Sequence, residues 1–123
     1  MANKGSVTVV GPLHNEQSIF TENVEFLKSQ FDDIFIGDNW HFMFVDNAST
    51  DQTPQLIENY KQRFPKTQCL YEPGPNYGRA LRKGLINAST EWVHSIDIEQ
   101  WDIPFIRWAW MNRAHHDLSL IHI

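Results

Sequence analysis

The chain has 123 residues, of which 41% are hydrophobic and 13% aromatic, so it is long enough to bury the core of one domain. A net charge of −5 argues against a nucleic-acid partner, which would require a basic surface. One cysteine excludes a disulfide framework, and no apolar run approaches the roughly 18 residues of a membrane-spanning helix. No signal-peptide pattern opens the chain, so a cytoplasmic location is expected.

A strand, a helix and a second strand are predicted in the first third of the chain. Val7 to Val10 is a short β-branched run that predicts a buried strand ending at Gly11-Pro12. From Gln17 to Phe31, apolar residues recur on one face of a predicted helix. Phe42 to Val45 predicts a second buried strand, which ends abruptly at Asp46.

The middle of the chain continues this alternation. Thr53 is predicted as the N-cap of a second helix, because proline follows it at the first helical position, and Pro65 stops that helix. Cys69 to Tyr71 predicts a short third strand. After a rigid Pro-Gly-Pro loop, Tyr77 to Asn87 has a third helical pattern.

A fourth strand and a fourth helix follow. Trp92 to Ile96 predicts a strand that ends at Asp97, and Ile103-Pro104 opens a helical stretch to about Ala114. Strict alternation of strands and helices is typical of an α/β fold, with a mainly parallel sheet and helices on both faces. Because ligands bind beyond the carboxyl ends of the strands in such sheets, the site is expected at that edge.

Three polar clusters follow three predicted strands and would meet at this edge: His14-Asn15-Glu16, Asp46 to Asp51, and Asp97-Ile98-Glu99. Asp97 and Glu99 are two residues apart, so in an extended segment both carboxylates point the same way and can hold a hard divalent cation. Two other interpretations stay open. The run from Asp46 to Asp51 has the composition of a turn, and Asp97 and Glu99 can instead cap the next helix or face water.

The third predicted helix begins with a potential anion site. Asn76-Tyr77-Gly78-Arg79 opens this helix, where free backbone N–H groups and the helix dipole favour an anion. Arg79 would add positive charge near a bound phosphate. The competing interpretation is a solvated basic face, and it is favoured for Arg82 and Lys83.

Taken in order, these motifs resemble those of the family 2 glycosyltransferases, which have the Rossmann-like GT-A fold. Val7 to Glu16 is similar to the family's opening strand and Pro-x-x-Asn-Glu loop, and Val45 to Thr53 is similar to its nucleotide-binding loop. Asn76-x-Gly78 and the later Asp97-Ile98-Glu99 resemble the donor-phosphate helix and the Asp-x-Asp metal motif. The resemblance covers residues 6–117 and is strongest to the branch that transfers sugars to polyprenyl phosphates.

The resemblance implies an enzyme that transfers a sugar from a UDP- or GDP-sugar donor to a lipid-phosphate or glycan acceptor. It implies six residues around the nucleotide: Pro12, His14, Glu16, Asp46, Gly78 and Arg79. Asp46 would contact the base, Gly78 and Arg79 would lie near the ribose and phosphates, and the others would line the pocket. Asp97 and Glu99 would engage Mg2+ or Mn2+ on the diphosphate. No residue is identified as the catalytic base.

Four positions depart from the family's usual motifs. Asn47 stands for the second aspartate of the nucleotide-binding loop, Ala48 and Gln52 stand for glycines, and Glu99 stands for the second aspartate of the metal motif. These departures bear on the identity of the donor more than on the fold. They also permit an alternative function, a non-catalytic nucleotide-binding or assembly module.

Family members continue beyond the metal motif with acceptor-side strands and the catalytic base. Residues 1–117 are therefore expected to be the N-terminal, donor-binding part of a truncated domain, inactive alone. Leu118 to Ile123 matches one reading frame of a sequencing-library adapter and is expected to be a non-native tail. The expected location is the cytoplasm or the cytoplasmic face of a membrane, with no membrane span in this part.

Overall fold

The computed structural model describes residues 5–35, 39–113 and 120–122. Strands and helices alternate along these residues from β1 to α4, as the apolar pattern predicts. In chain order the elements are β1 (Val7–Leu13), α1 (Phe20–Ile34), β2 (Trp40–Asn47), α2 (Thr53–Arg63), β3 (Thr67–Glu72), α3 (Tyr77–Asn87), β4 (Trp92–Ser95), α4 (Ile103–Met111) and β5 (Leu120–His122).

The strands form one sheet in the order β3-β2-β1-β4-β5. The first four strands run parallel, and β5 pairs antiparallel with β4. The predicted α/β class with a mainly parallel sheet is therefore confirmed. Because β1 lies between β2 and β4, with Leu13 opposite Asp46 and Val10 opposite Ser95, the strand ends that carry polar clusters lie side by side.

Two apolar cores cover the two faces of the sheet, as predicted. The larger core packs α1, α2 and α4 against one face, around fully buried aromatic side chains such as Phe20, Phe31 and Phe44. The smaller core packs α3 against the other face, through Ala80 and Val10. Within the parts that the structure describes, no helix combines the length and the apolar character needed to cross a bilayer.

Gly84 lets α3 lie directly against the sheet. A methyl group at Gly84 would collide with a side-chain carbon of Val10 and would lie 3.2 Å from Cγ2 of Val45. A larger residue would therefore push the helix away from β1 and β2. The contact keeps α3 close to the sheet, and the first residue of α3, Tyr77, lies near the strand ends.

The predicted end of β1 at Gly11-Pro12 is wrong, because the strand continues to Leu13. The peptide groups of Val10 and Pro12 face the same side of β1, towards β4, and the pairing with β4 ends at Val10. The missing N–H of Pro12 therefore interrupts none of the hydrogen bonds that pair β1 with β2 as far as Leu13. β2 likewise extends past Val45, so that Asp46 lies within the strand.

The predicted N-cap of α2 is also wrong. Helix α2 begins at Thr53 itself, after Gln52, and has no side-chain cap. The Thr53 hydroxyl instead bonds to two other segments. At the other end of the chain, α4 ends at Met111, and Ala114 lies outside the described residues, as do 118–119 and 123 of the predicted tail.

Candidate functional site

A cleft of about 340 Å³ opens at the carboxyl ends of the parallel strands. This strand-end cleft is lined by Pro12, Leu13, His14, Glu16, Asn47, Pro75, Tyr77, Asp97 and Glu99. The structure thus brings together five predicted site residues, Pro12, His14, Glu16, Asp97 and Glu99. The other three, Asp46, Gly78 and Arg79, are not part of this lining, and their contacts with a ligand stay predictions.

The loop after β1 is fastened to the loop after β2 through Asn15. This residue has a φ of 52°, a left-handed conformation that asparagine tolerates. Its backbone N donates to Oγ of Ser49 at 2.9 Å, and its Oδ1 accepts from the backbone N of Thr50 at 2.7 Å. Asn15 therefore holds the two loops together, a role that depends on residues 34 and 35 positions away in sequence.

A second set of hydrogen bonds links the same loops through Thr53. Its Oγ1 accepts from the backbone N of Glu16 at 2.9 Å and donates to Oδ1 of Asp51 at 2.6 Å. Oδ2 of Asp51 accepts from the backbone N of Gln17 at 3.2 Å. Although burial would raise the pKa of Asp51, the hydrogen bonds from Thr53 and Gln17 lower it. For Asp51 the turn interpretation of the polar run is therefore correct.

Three carboxyl groups, those of Glu16, Asp97 and Glu99, line the cleft. Burial, a hydrogen bond to Glu99 and the charges of Glu99, Asp97 and Asp51 together raise the pKa of Glu16 to about 7. Asp97 and Glu99 are both exposed and Ile98 between them is buried, but the expected extended segment is a turn, in which the backbone N of Gln100 donates to the backbone O of Asp97 at 3.1 Å. Oδ1 of Asp97 also accepts from the backbone N of Glu99 at 2.9 Å, which orders this short segment.

The carboxyl groups of the cleft are suited to a divalent cation whose coordination is completed by a bound ligand. Across residues 5–35, 39–113 and 120–122, no group of three or more His, Cys, Asp or Glu side chains is arranged to hold a metal ion. Asp97 and Glu99 nevertheless offer carboxylate oxygens, which Mg2+ and Mn2+ prefer. Their repulsion with Glu16 would be relieved by a nearby positive charge. Phosphate and water oxygens would have to complete such a coordination shell.

Asp46 and Asn47 are consecutive in β2, so their side chains point to opposite faces of the sheet. Asp46 is 4% exposed, and its Oδ1 has no hydrogen-bond partner among the described residues. Asn47 lines the cleft, and its backbone O accepts from Nδ1 of His14 at 2.6 Å. Sequence reasoning noted Asn47 only as a departure from the family motif. Strand alternation could have placed it in the cleft, had β2 been extended to its true end.

The first turn of α3 is partly capped by its own N-cap residue. Oδ1 of Asn76 accepts from the backbone N of Arg79 at 2.9 Å, so this N–H is not available to an anion. Gly78 is exposed, and a Cβ built there would meet only Oδ1 of Asn76, at 3.4 Å. The backbone at Gly78 is therefore open to a ligand.

The basic residues of α3 face a buried carboxylate. The side chain of Glu72, at the end of β3, is 7% exposed, and its oxygens lie 3.4 Å from Nζ of Lys83 and 3.9 Å from Nη1 of Arg79. Lys83 also donates to the backbone O of Tyr71 at 2.7 Å. A solvated face is therefore the wrong interpretation for Lys83. The Arg79 side chain is 65% exposed, which leaves it accessible to an anion.

The family model described as Glycosyl transferase family 2 matches residues 8–98. The chain is 26% identical over 100 residues to a dolichyl-phosphate beta-glucosyltransferase of Trichomonas vaginalis, and 22% identical over 99 residues to the glycosyltransferase EpsH of Bacillus subtilis. These alignments cover 76% and 80% of this chain. The chain spans less than a third of either relative, 30% and 27%.

Solved structures share the fold. The mannosyltransferase PcManGT from Pyrobaculum calidifontis, in complex with GDP-Man and Mn2+, is similar with a TM-score of 0.69 and 25% identity over 84% of this chain and 32% of that one. S. aureus TarS (1–349) is similar with a TM-score of 0.68 and 21% identity over 90% and 33% of the two chains, a likeness of fold alone. The expected Rossmann-like GT-A fold is confirmed.

Proposed function

Because the chain belongs to glycosyl transferase family 2, we propose that its strand-end cleft binds a nucleotide-sugar donor and that the protein transfers the sugar to an acceptor. One observation carries this proposal. Pro12, His14 and Glu16 from the loop after β1 line the same cleft as Asp97 and Glu99 from the segment after β4. Strand ends of an open parallel sheet are where such folds bind ligands, and here they combine ring surfaces with carboxylates.

A UDP- or GDP-sugar is the proposed donor. The similar Pyrobaculum protein in complex with GDP-Man supports this class. Pro12 and Tyr77 offer ring surfaces for the base and ribose in the cleft. Asp46 is proposed to contact the base, because its buried Oδ1 has no partner within the described part of the chain and a base N–H would supply one. The exposed guanidinium of Arg79 and the open backbone at Gly78 are proposed to contact the ribose and phosphates.

Asp97 and Glu99 are proposed to hold Mg2+ or Mn2+ beside the donor diphosphate. When bound, the cation would neutralise the charge that develops on the leaving diphosphate. The Mn2+ in the Pyrobaculum complex supports this choice of metal. Glu16 would border the same site, where its neutral form at low pH limits the local negative charge.

A lipid phosphate or a glycan hydroxyl is the proposed acceptor. Similarity to a dolichyl-phosphate beta-glucosyltransferase supports a lipid phosphate. The acceptor oxygen would form a bond to the anomeric carbon, whose bond to the diphosphate oxygen breaks, and the nucleoside diphosphate would leave. We propose that residues 1–117 bind the donor without transferring the sugar, at the cytoplasmic face of a membrane or in the cytoplasm, and that the general base lies in a further part of the enzyme.

Calorimetric titration of the chain with UDP and with GDP, with and without Mn2+, tests this function. We expect binding that requires Mn2+ and that Asp97→Asn abolishes. Glu58→Gln removes one negative charge from an exposed position on α2 and should leave binding unchanged. Tight binding without metal that survives Asp97→Asn would instead favour a non-catalytic nucleotide-binding module. Absence of binding by both nucleotides would refute the proposal.

A further inference from the structure

We propose that Asn47 is a positioning residue whose side-chain amide fixes the loop after β3 as one wall of the strand-end cleft. In this chain the amide donates two hydrogen bonds that an aspartate, the residue of the family's usual motif, could not donate. This inference rests on the proposed function, since the position of the wall matters most when a nucleotide binds in the cleft.

The side-chain nitrogen of Asn47 lies between two backbone carbonyl groups. Nδ2 donates to the carbonyl O of Glu72 at 3.2 Å and to the carbonyl O of Gly74. An amide nitrogen carries two hydrogens, so both bonds can form at once. The two acceptors are two residues apart, one at the end of β3 and one in the loop that follows, so the loop is held at its beginning.

The Gly74 carbonyl connects Asn47 to the wall of the cleft. This carbonyl belongs to the peptide bond between Gly74 and Pro75, and the proline ring fixes its own φ. The orientation of that peptide plane therefore sets the position of the Pro75 ring, which lines the cleft. The same carbonyl accepts from the backbone N of Asn76 at 2.7 Å, and Asn76 caps the helix whose first residue is Tyr77, also in the lining.

Asn47 also bonds to the opposite side of the cleft. Its backbone O accepts from Nδ1 of His14, which belongs to the loop after β1. Glu72 adds one further restraint, because its Oε2 accepts from the backbone N of Gly74 at 3.2 Å. One residue at the end of β2 is therefore bonded to the loops after β1 and β3, which border the cleft from two sides.

An ionised aspartate at position 47 would turn the two attractive contacts with Glu72 and Gly74 into repulsive ones. Carboxylate oxygens accept hydrogen bonds and donate none, so they would face the carbonyl oxygens of Glu72 and Gly74 without a hydrogen between them. Asn47 is 4% exposed, and water could not readily compensate for the lost donors. We expect the loop to move away from residue 47, and Pro75 and Tyr77 to move with it.

Hydrogen–deuterium exchange of the ligand-free chain tests the two Asn47 hydrogen bonds, with Asn47→Asp compared to Asn87→Asp. The sequence Asn-Ala-Ser-Thr begins at Asn47 and occurs again at Asn87. Asn87 is exposed, and its Nδ2 donates to the carbonyl O of Lys83 within α3. We expect the amides of Gly74 and of residues 76–79 to exchange about tenfold faster in Asn47→Asp and at the wild-type rate in Asn87→Asp. Wild-type exchange in Asn47→Asp would overturn the inference. If that variant does not fold, Asn47→Ala removes the donors without adding charge and undergoes the same measurement.

Nucleotide binding separates positioning from a merely structural role. In Asn47→Asp we expect about tenfold weaker binding of UDP or GDP in the presence of Mn2+, with binding of Mn2+ alone retained. Wild-type nucleotide affinity together with a loosened loop would overturn the positioning role. If the wild-type chain binds neither nucleotide, the proposed function fails and the effect on affinity fails with it. The exchange experiment still decides whether Asn47 fixes the loop.

Discussion

The carboxyl groups of Glu16 and Glu99 are neighbours, and both side chains line the strand-end cleft. Burial and this neighbour raise the pKa of Glu16 from its ordinary value of 4.5 to about 7. The folded chain therefore binds a proton more tightly than the unfolded chain does. The contribution of Glu16 to stability is complete below pH 4.5 and is lost as the pH rises through about 7.

Replacement of Glu16 by glutamine should remove this pH dependence, because the amide stays neutral. We expect Glu16→Gln to have a higher melting temperature than the wild type at about pH 8, and a similar one near pH 4.5. Thermal unfolding across this pH range measures the difference. Glu58→Gln, at an exposed position on α2, is the matched control and should follow the wild-type curve. Parallel curves for Glu16→Gln and the wild type would show that the carboxyl pair does not influence folding.

Thr53→Val should destabilise the chain by about 1–3 kcal/mol, because it leaves the partly buried backbone N of Glu16 without its acceptor and removes one of the two hydrogen bonds to Oδ1 of Asp51. The valine has nearly the same shape, but it can neither accept from the backbone N of Glu16 nor donate to Asp51. Urea unfolding gives the change in free energy. Thr50→Val is the control, since Thr50 is exposed and its Oγ1 donates to Oδ1 of Asn15 at a long 3.4 Å. Equal losses in the two variants would contradict the assignment.

Gly84→Ala should destabilise the chain by about 1–3 kcal/mol through overpacking against Val10, even though alanine is the better helix former. Adding Val10→Ala removes the colliding side-chain carbon and should recover part of the loss, which a double-mutant cycle measures. Gly78→Ala, in the same helix, places its Cβ 3.4 Å from Oδ1 of Asn76 without a collision and should not lower stability. Additive effects of Gly84→Ala and Val10→Ala would rule out a direct collision.

Cys69 should react slowly with alkylating reagents. Burial, with the charges of Asp46 and Glu58, raises the pKa of its thiol to about 11, and the thiolate is the reactive form. Near pH 8 we expect iodoacetamide to modify the folded chain about a hundredfold more slowly than the chain in denaturant, and the folded rate to climb towards pH 11. Similar rates for the folded and denatured chains would mean that the thiol is accessible and unperturbed.

The apolar pattern predicted the elements from β1 to α4 because each buried strand and each helix face carries its own run of apolar residues. The predicted ends of strands and helices were wrong where hydrogen bonding, and not side-chain polarity, decides where the element ends. Pro12 and Asp46 look like chain breaks in sequence, yet both lie in strands, since their backbone groups are paired or need no pair. Thr53 has the sequence features of a cap, but its hydroxyl bonds to the loop after β1.

The candidate site was predictable where residues directly follow a strand. Glu16, Asp97 and Glu99 are examples, because parallel strands bring such residues to one edge. The hydrogen bonds of Asn15, Asn47 and Glu72 could not be predicted in this way. Their contacts join segments that are remote in sequence, as with Asn47 and Glu72, which are 25 residues apart. Only the register between β2 and β3 brings those two together.

The opposite orientation of Asp46 and Asn47 has a consequence for insertions and deletions. Inserting one residue within β2 would shift its end by one position and present the carboxylate of Asp46, in place of the amide, to the carbonyl groups of Glu72 and Gly74. Deleting one residue would present Ala48 there, which has no side-chain donor. Insertions or deletions in the turns outside the strands do not change the face of the sheet on which the side chains of β2 lie. Sequences that keep this cleft should therefore vary in turn length while keeping the spacing from Phe42 to Asn47 unchanged.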